Sequence, residues 1–109
     1  MPNVIEASDS SFENEVLKSD KLTVVYFKTQ WCPVCKSLSP VIDILANKYA
    51  EKIKFVSLDP RVAQITAVTY GIMSVPAILF FKNGVETLRN MGAVSEKNLT
   101  NLIDKVLAG

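Results

Sequence analysis

The sequence predicts an α/β layered domain, with a mixed sheet carrying helices on both faces. Three observations lead there. Apolar strand-like runs alternate with segments of helical period along the chain. Leu22–Phe27 and Ala77–Phe81 are nearly unbroken runs of β-branched, aromatic and aliphatic residues, the pattern of strands buried on both faces. Asn83-Gly84 separates two strand-like runs and is a strong hairpin signal, so the last two strands should pair antiparallel. The 109 residues suit one domain, 1–109, around one core.

The elements follow in order. Val4–Glu6 reads as a first strand. Ser10, with Glu13 three residues later, reads as a capping box that starts a short helix to about Ser19, with Phe12, Val16 and Leu17 inward. Leu22–Phe27 is the central strand. A long helix follows, since Val34, Leu38, Val41, Ile42, Leu45, Ala46 and Tyr49 recur at helical spacing. Pro40 lies inside it and cannot donate to the carbonyl of Lys36, so a kink is expected rather than a break. Ile53–Leu58 is the next strand. Ala63 to Tyr70 reads as a short helix, with Gly71 as its C′ residue. The strand from Ala77 and the strand Val85–Met91 form the hairpin. Ser95 caps a last helix with Leu99, Leu102, Ile103, Val106 and Leu107 on one face. About five strands and four helices result.

Composition removes several functions. A net charge of +1 gives no general attraction to nucleic acid or anionic membranes. The longest apolar runs are too short to span a bilayer. The segment Met1–Glu6 lacks the basic and apolar stretches of a secretory leader, so a reducing, cytoplasmic location is expected.

The two cysteines, Cys32 and Cys35, lie three positions apart in Trp31-Cys32-Pro33-Val34-Cys35-Lys36. Two intervening residues let the sulfurs meet across one turn at a helix start, so the pair can open and close as a two-electron redox device. In a reducing compartment such a pair is catalytic or metal-binding rather than a structural staple. A zinc site is disfavoured, because the chain has no histidine and only two cysteines. The missing histidine also disfavours a cysteine hydrolase. The motif falls between strand and helix, at the strand carboxyl end where α/β sheets place reactive groups. Backbone N–H groups of the helix start favour the Cys32 anion, and Pro33 loses nothing at an early helix position. Cys32 should therefore attack, and Cys35, one turn inside, should resolve. Trp31 beside the exposed cysteine reads as a shield and docking surface.

Over Val4–Leu107 the chain resembles the thioredoxin family. Trp31-Cys32, Cys35-Lys36, Pro40, Tyr70-Gly71-Ile72, Val75-Pro76, Phe80-Phe81-Lys82-Asn83-Gly84 and Gly92-Ala93 match its pattern in order and spacing. The resemblance implies the thioredoxin fold and a protein-disulfide reductase with no cofactor beyond a reversible Cys32–Cys35 disulfide. It implies that Pro76 is cis beside the cysteines. Trp31, Pro33, Val34, Val75, Pro76, Gly92 and Ala93 would then form a shallow apolar groove around Cys32. Expected partners are client proteins with disulfides and a thioredoxin-reductase-type flavoprotein, with the chain itself a monomer.

The departures are equally specific. Pro33-Val34 stands where Gly-Pro is common, which is similar to glutaredoxins and tryparedoxin-like relatives. Tyr26 stands where the family buries an aspartate, and Ser57 where a lysine partners it. Losing both charges together avoids an unpaired buried ion. Tyrosine is a poor base near neutral pH, so Cys35 should lose its proton to the Cys32 thiolate or through water. Lys28 should make the rim more cationic. Two other functions fit the same residues: a glutathione-linked reductant, and a non-catalytic interaction module of the same fold.

Overall fold

The computed structural model describes residues 3–109. Met1 and Pro2, which begin the segment read for a leader pattern, lie outside the described residues. Five strands, β1 (Val4–Glu6), β2 (Leu22–Phe27), β3 (Ile53–Leu58), β4 (Ala77–Lys82) and β5 (Val85–Met91), form one sheet in the order β1-β3-β2-β4-β5. β1, β3 and β2 run parallel; β4 is antiparallel to β2, and β5 to β4. Helices α1 (Pro33–Lys48), α2 (Gln64–Thr69) and α3 (Glu96–Ala108), with a π-helical turn Glu13–Leu17, complete the described fold.

Alternation along the strands divides the core. Val24 and Tyr26 of β2 join Phe55, Ile78 and Phe80 on one face, against Leu38, Ile42 and Leu45 of α1 and Leu99 and Ile103 of α3. Val25 and Phe27 join Val56, Leu58, Leu79 and Phe81 on the other, against Phe12, Val16 and Ala67. A strand's period of two makes this division automatic once both faces are covered. On the second face the rings of Phe12, Tyr70 and Phe81 meet pairwise with centroids 5.3–5.9 Å apart. They tie the π-helical turn to the end of α2 and to β4.

The first helical segment departs from expectation. Ser10 and Glu13 form no capping box. The Ser8 N–H donates to Ser11 Oγ at 2.9 Å, and Phe12 N–H donates to the Ser8 carbonyl, so the turn starts two residues earlier. Glu13 instead pairs with Lys18 at 3.1 Å. The Lys18 N–H reaches back five residues to the Glu13 carbonyl, which makes the turn π-wound. Val34 also departs: it is exposed, and Cys35 takes the inward position. α1 continues through Pro40 without interruption. α2 ends as expected, with Ile72 N–H donating to Ala67 O and Gly71 N–H to Val68 O, a Schellman arrangement. Its start is capped from a distance. The Asp9 carboxylate accepts from the N–H groups of Ile65 and Thr66 and from the Thr66 hydroxyl. These bonds, that from the Thr66 backbone foremost, hold its carboxyl below the usual range.

Asn83 (φ 53°) and Gly84 (φ 77°) form the two-residue turn of the hairpin. A Cβ on Gly84 would lie 2.6 Å from the backbone oxygen of Leu17, so the hairpin packs directly on the π-helical turn. Gly84→Ala therefore combines strained backbone with a backbone clash. We expect it to lower stability by about 2 kcal/mol or more, roughly 10 °C in melting temperature. Thermal unfolding followed by circular dichroism checks this; an unchanged midpoint would contradict the packing.

Candidate active site

The topology brings several connections to one end of the sheet, that from β3 to α2 among them. β2 ends at Phe27, where β4 begins with Ala77 opposite it, and Met91 of β5 lies opposite Ala77. The β2–α1, α2–β4 and β5–α3 connections therefore meet at this end. The Lys28 N–H donates to Leu58 O, which carries the β2–β3 pairing one residue past the strand. The chain then turns through Thr29–Trp31 into α1.

Cys32 is the N-cap of α1, in extended conformation, with Pro33 at the first helical position. The Cys35 N–H donates to Cys32 Sγ at 3.1 Å, the role a serine or aspartate oxygen plays at an ordinary helix start. From the opposite side Cys32 Sγ donates to the Val75 carbonyl at 3.8 Å. The Val75–Pro76 peptide bond is cis. Both cysteines are thiols; Cys32 is half-buried and Cys35 is 1% exposed. Burial pushes the Cys35 thiol up, and hydrogen bonding with Cys32 adds to it.

Below the pair lies a cluster of hydroxyls. Tyr26 Oη lies 3.1 Å from the Cys35 carbonyl and 3.0 Å from Ser39 Oγ, and Ser39 Oγ donates to the same carbonyl at 2.8 Å. Burial pushes the Tyr26 phenol up to about 12. It is a neutral hydroxyl at physiological pH and has no capacity as a base there. Ser57 is buried opposite Tyr26 in the β2–β3 register. Ser57, Ser39 and Cys35 line a cleft beside α1, together with Lys28 and Lys36 and the carboxylates Glu6, Asp43 and Asp59. Lys28 shares this cleft with Lys36 and three carboxylates, and it forms no ion pair among the described residues.

The remaining expected residues are placed as follows. Trp31 is 61% exposed, and Pro33 and Val34 are exposed on the first turn of α1. Val75 is half-buried, whereas Pro76 is buried and underlies the surface rather than lining it. The Gly92 N–H donates to Pro76 O at 2.8 Å, joining the β5–α3 connection to the cis-proline loop. Gly92 has φ 88° and no protein atom within 4 Å of an added Cβ, so its bare face meets open space. Ala93 faces a shallow cleft with Ser95 and Asn98 at the start of α3. Two residues not singled out by motif reading belong to this region: Ser39, and Arg61, whose guanidinium carbon lies 3.9 Å from the centre of the Trp31 ring. Ser39 was findable one turn after Cys35; Arg61 follows the carboxyl end of β3. No group of metal-binding side chains occurs among the described residues.

A buried thiol and a half-exposed one, held across the first turn of a helix at a strand end, define a thiol–disulfide exchange protein. The comparisons are more specific. The thioredoxin family model matches residues 3–105. Thioredoxin C-2 of Corynebacterium nephridii is 35% identical over 102 residues, covering 94% of each chain. Thioredoxin of Haemophilus influenzae is 34% identical over 105 residues, covering 96% of this chain and 98% of that one. A chloroplastic M-type thioredoxin of Spinacia oleracea is 41% identical over 105 residues, covering 96% of this chain and 58% of its own length. The chain belongs to the thioredoxin family, and is a thiol–disulfide oxidoreductase with protein-disulfide reductase activity.

The two thiols should differ in reactivity. Iodoacetamide added to the reduced protein near pH 7 should alkylate Cys32 and spare Cys35. Cys35 should react only at pH above the usual thiol range of about 8.5, because its neutral form is favoured in the folded state, or after unfolding. Peptide mapping across pH checks this; equal labelling at pH 7 would contradict the burial of Cys35.

Proposed function

We propose that the protein is a dithiol carrier in which Cys32 attacks and Cys35 resolves. The Cys32 thiolate attacks one sulfur of a client disulfide, forming a mixed disulfide and releasing one client thiolate. Cys35 loses its proton and attacks Cys32 Sγ. The second client thiolate leaves, and the Cys32–Cys35 disulfide remains. The client has gained two electrons and two protons. A flavoprotein reductase of the thioredoxin-reductase type returns two electrons to the pair.

The observation that carries this reading is the hydrogen bond from Cys35 N–H to a half-exposed Cys32 Sγ, above a fully buried second thiol. The groove reading is supported by the ring of Trp31, the half-buried Val75 and the bare face of Gly92 around the same end of the sheet. Tyr26 and Ser57 modulate the site by setting hydroxyls rather than ions directly beneath it. The proton of Cys35 then leaves through water in the cleft that Cys35, Ser39 and Ser57 line. A dithiol reductant suits a compartment that keeps thiols reduced, and we place it in the cytoplasm.

Cys35→Ser tests the division of labour. The variant should hold client proteins as mixed disulfides on Cys32, released by dithiothreitol. Cys32→Ser should form none. Complexes that survive dithiothreitol, or that form equally on Cys32→Ser, would contradict the proposed roles.

A further inference from the structure

We infer that Arg61 is a specificity residue, a carboxylate receptor at the rim of the site that favours client segments with acidic side chains beside the disulfide. This deepens the dithiol-carrier reading and rests on it. Arg61 lies in the connection from β3 to α2, anchored by its own N–H, which donates to Asp59 Oδ1 at 2.8 Å. Its guanidinium carbon stands 3.9 Å from the centre of the Trp31 ring. Trp31 directly precedes Cys32 and is exposed. The charge is therefore carried on the side chain next to the attacking cysteine.

Stacking uses the flat face of a guanidinium. It leaves the in-plane N–H groups free for the two oxygens of a carboxylate. Among the described residues the ion pairs are Lys18–Glu13, Lys54–Glu15 and Arg89–Glu86, so the Arg61 side chain has no protein carboxylate of its own. The nearest acidic neighbour in the chain, Asp59, serves the Arg61 backbone. Lys28 and Lys36 also lack an ion pair among the described residues, but they line a cleft shared with Glu6, Asp43 and Asp59, whereas Arg61 is the cation held on the Trp31 ring itself. The indole also holds the long side chain, so less freedom is lost when a carboxylate binds.

The probes are three synthetic peptides with one internal disulfide, flanked by acidic, neutral or basic residues. The readout is the ratio of kcat/KM for the acidic peptide to that for the basic one, which a general loss of activity does not move. In low salt the unmodified protein should favour the acidic peptide by about two- to fivefold, the scale of a solvent-screened ion pair. The preference should reside mainly in KM and fade as salt rises. Arg61→Gln should bring the ratio near one, Arg61→Glu should invert it, and Arg61→Lys, which keeps the charge but loses the stacked planar fork, should retain only part of it. A ratio unchanged in Arg61→Gln would overturn the inference, including the case in which all three rates fall together because Arg61 only positions Trp31. Failure of the unmodified protein to reduce even the neutral peptide would instead overturn the reductase reading, and this inference with it.

Discussion

The burial of β2 on both faces is the constraint from which the site follows. Every side chain from Leu22 to Phe27 is buried, between β3 on one edge and β4 on the other. The strand therefore has one register and one place to stop. α1 begins six residues beyond it, so the first turn of that helix is set against the most rigid part of the molecule. Cys32 at the N-cap and Cys35 one turn inside inherit that rigidity. Their spacing alone would permit exchange; their attachment to a buried central strand gives one thiol to solvent and the other to the core.

The groups directly beneath Cys35, Tyr26, Ser39 and Ser57, are neutral hydroxyls. An unpaired ion there would carry a desolvation penalty of several kcal/mol. A hydroxyl bonded to a carbonyl contributes about 1 kcal/mol and leaves nothing uncompensated. Tyr26 and Ser39 both reach the Cys35 carbonyl, so the backbone at the second cysteine is held by polar bonds that ignore pH in the physiological range. Charge surrounds these hydroxyls: Lys28 and Lys36 share the adjoining cleft with carboxylates, and Arg61 lies over the Trp31 ring.

Much of this was legible in the residues. Strands with unbroken apolar runs, the Asn83-Gly84 turn, the Ser95 cap and Gly71 after α2 all carry local signals, and each appears in place. The cysteine pair was legible because its spacing is itself the chemistry. What escaped depends on contacts distant in sequence. Ser10 and Glu13 fit a capping box locally, but Ser11 bonds back to Ser8 and Lys18 draws Glu13 away. Asp9 caps α2 from 56 residues away, a relation no local pattern contains. Val34 has the right period for the core, yet its helix position is the turn above Cys35, where the surface lies. Arg61 and Trp31 belong to different connections, and only the parallel pairing of β2 with β3 brings them together.

In the proposed mechanism Cys32 and Cys35 act as one two-electron couple. Equilibration of the protein across a series of reduced and oxidised glutathione ratios, with acid quenching and mass analysis, tests it most directly. A single transition between dithiol and internal disulfide is expected, with a slope of about 30 mV per tenfold change in the couple. No glutathione adduct should accumulate, because Cys35 lies within reach of any mixed disulfide on Cys32. A stable glutathione adduct on Cys32 through the transition, with no internal disulfide, would contradict it.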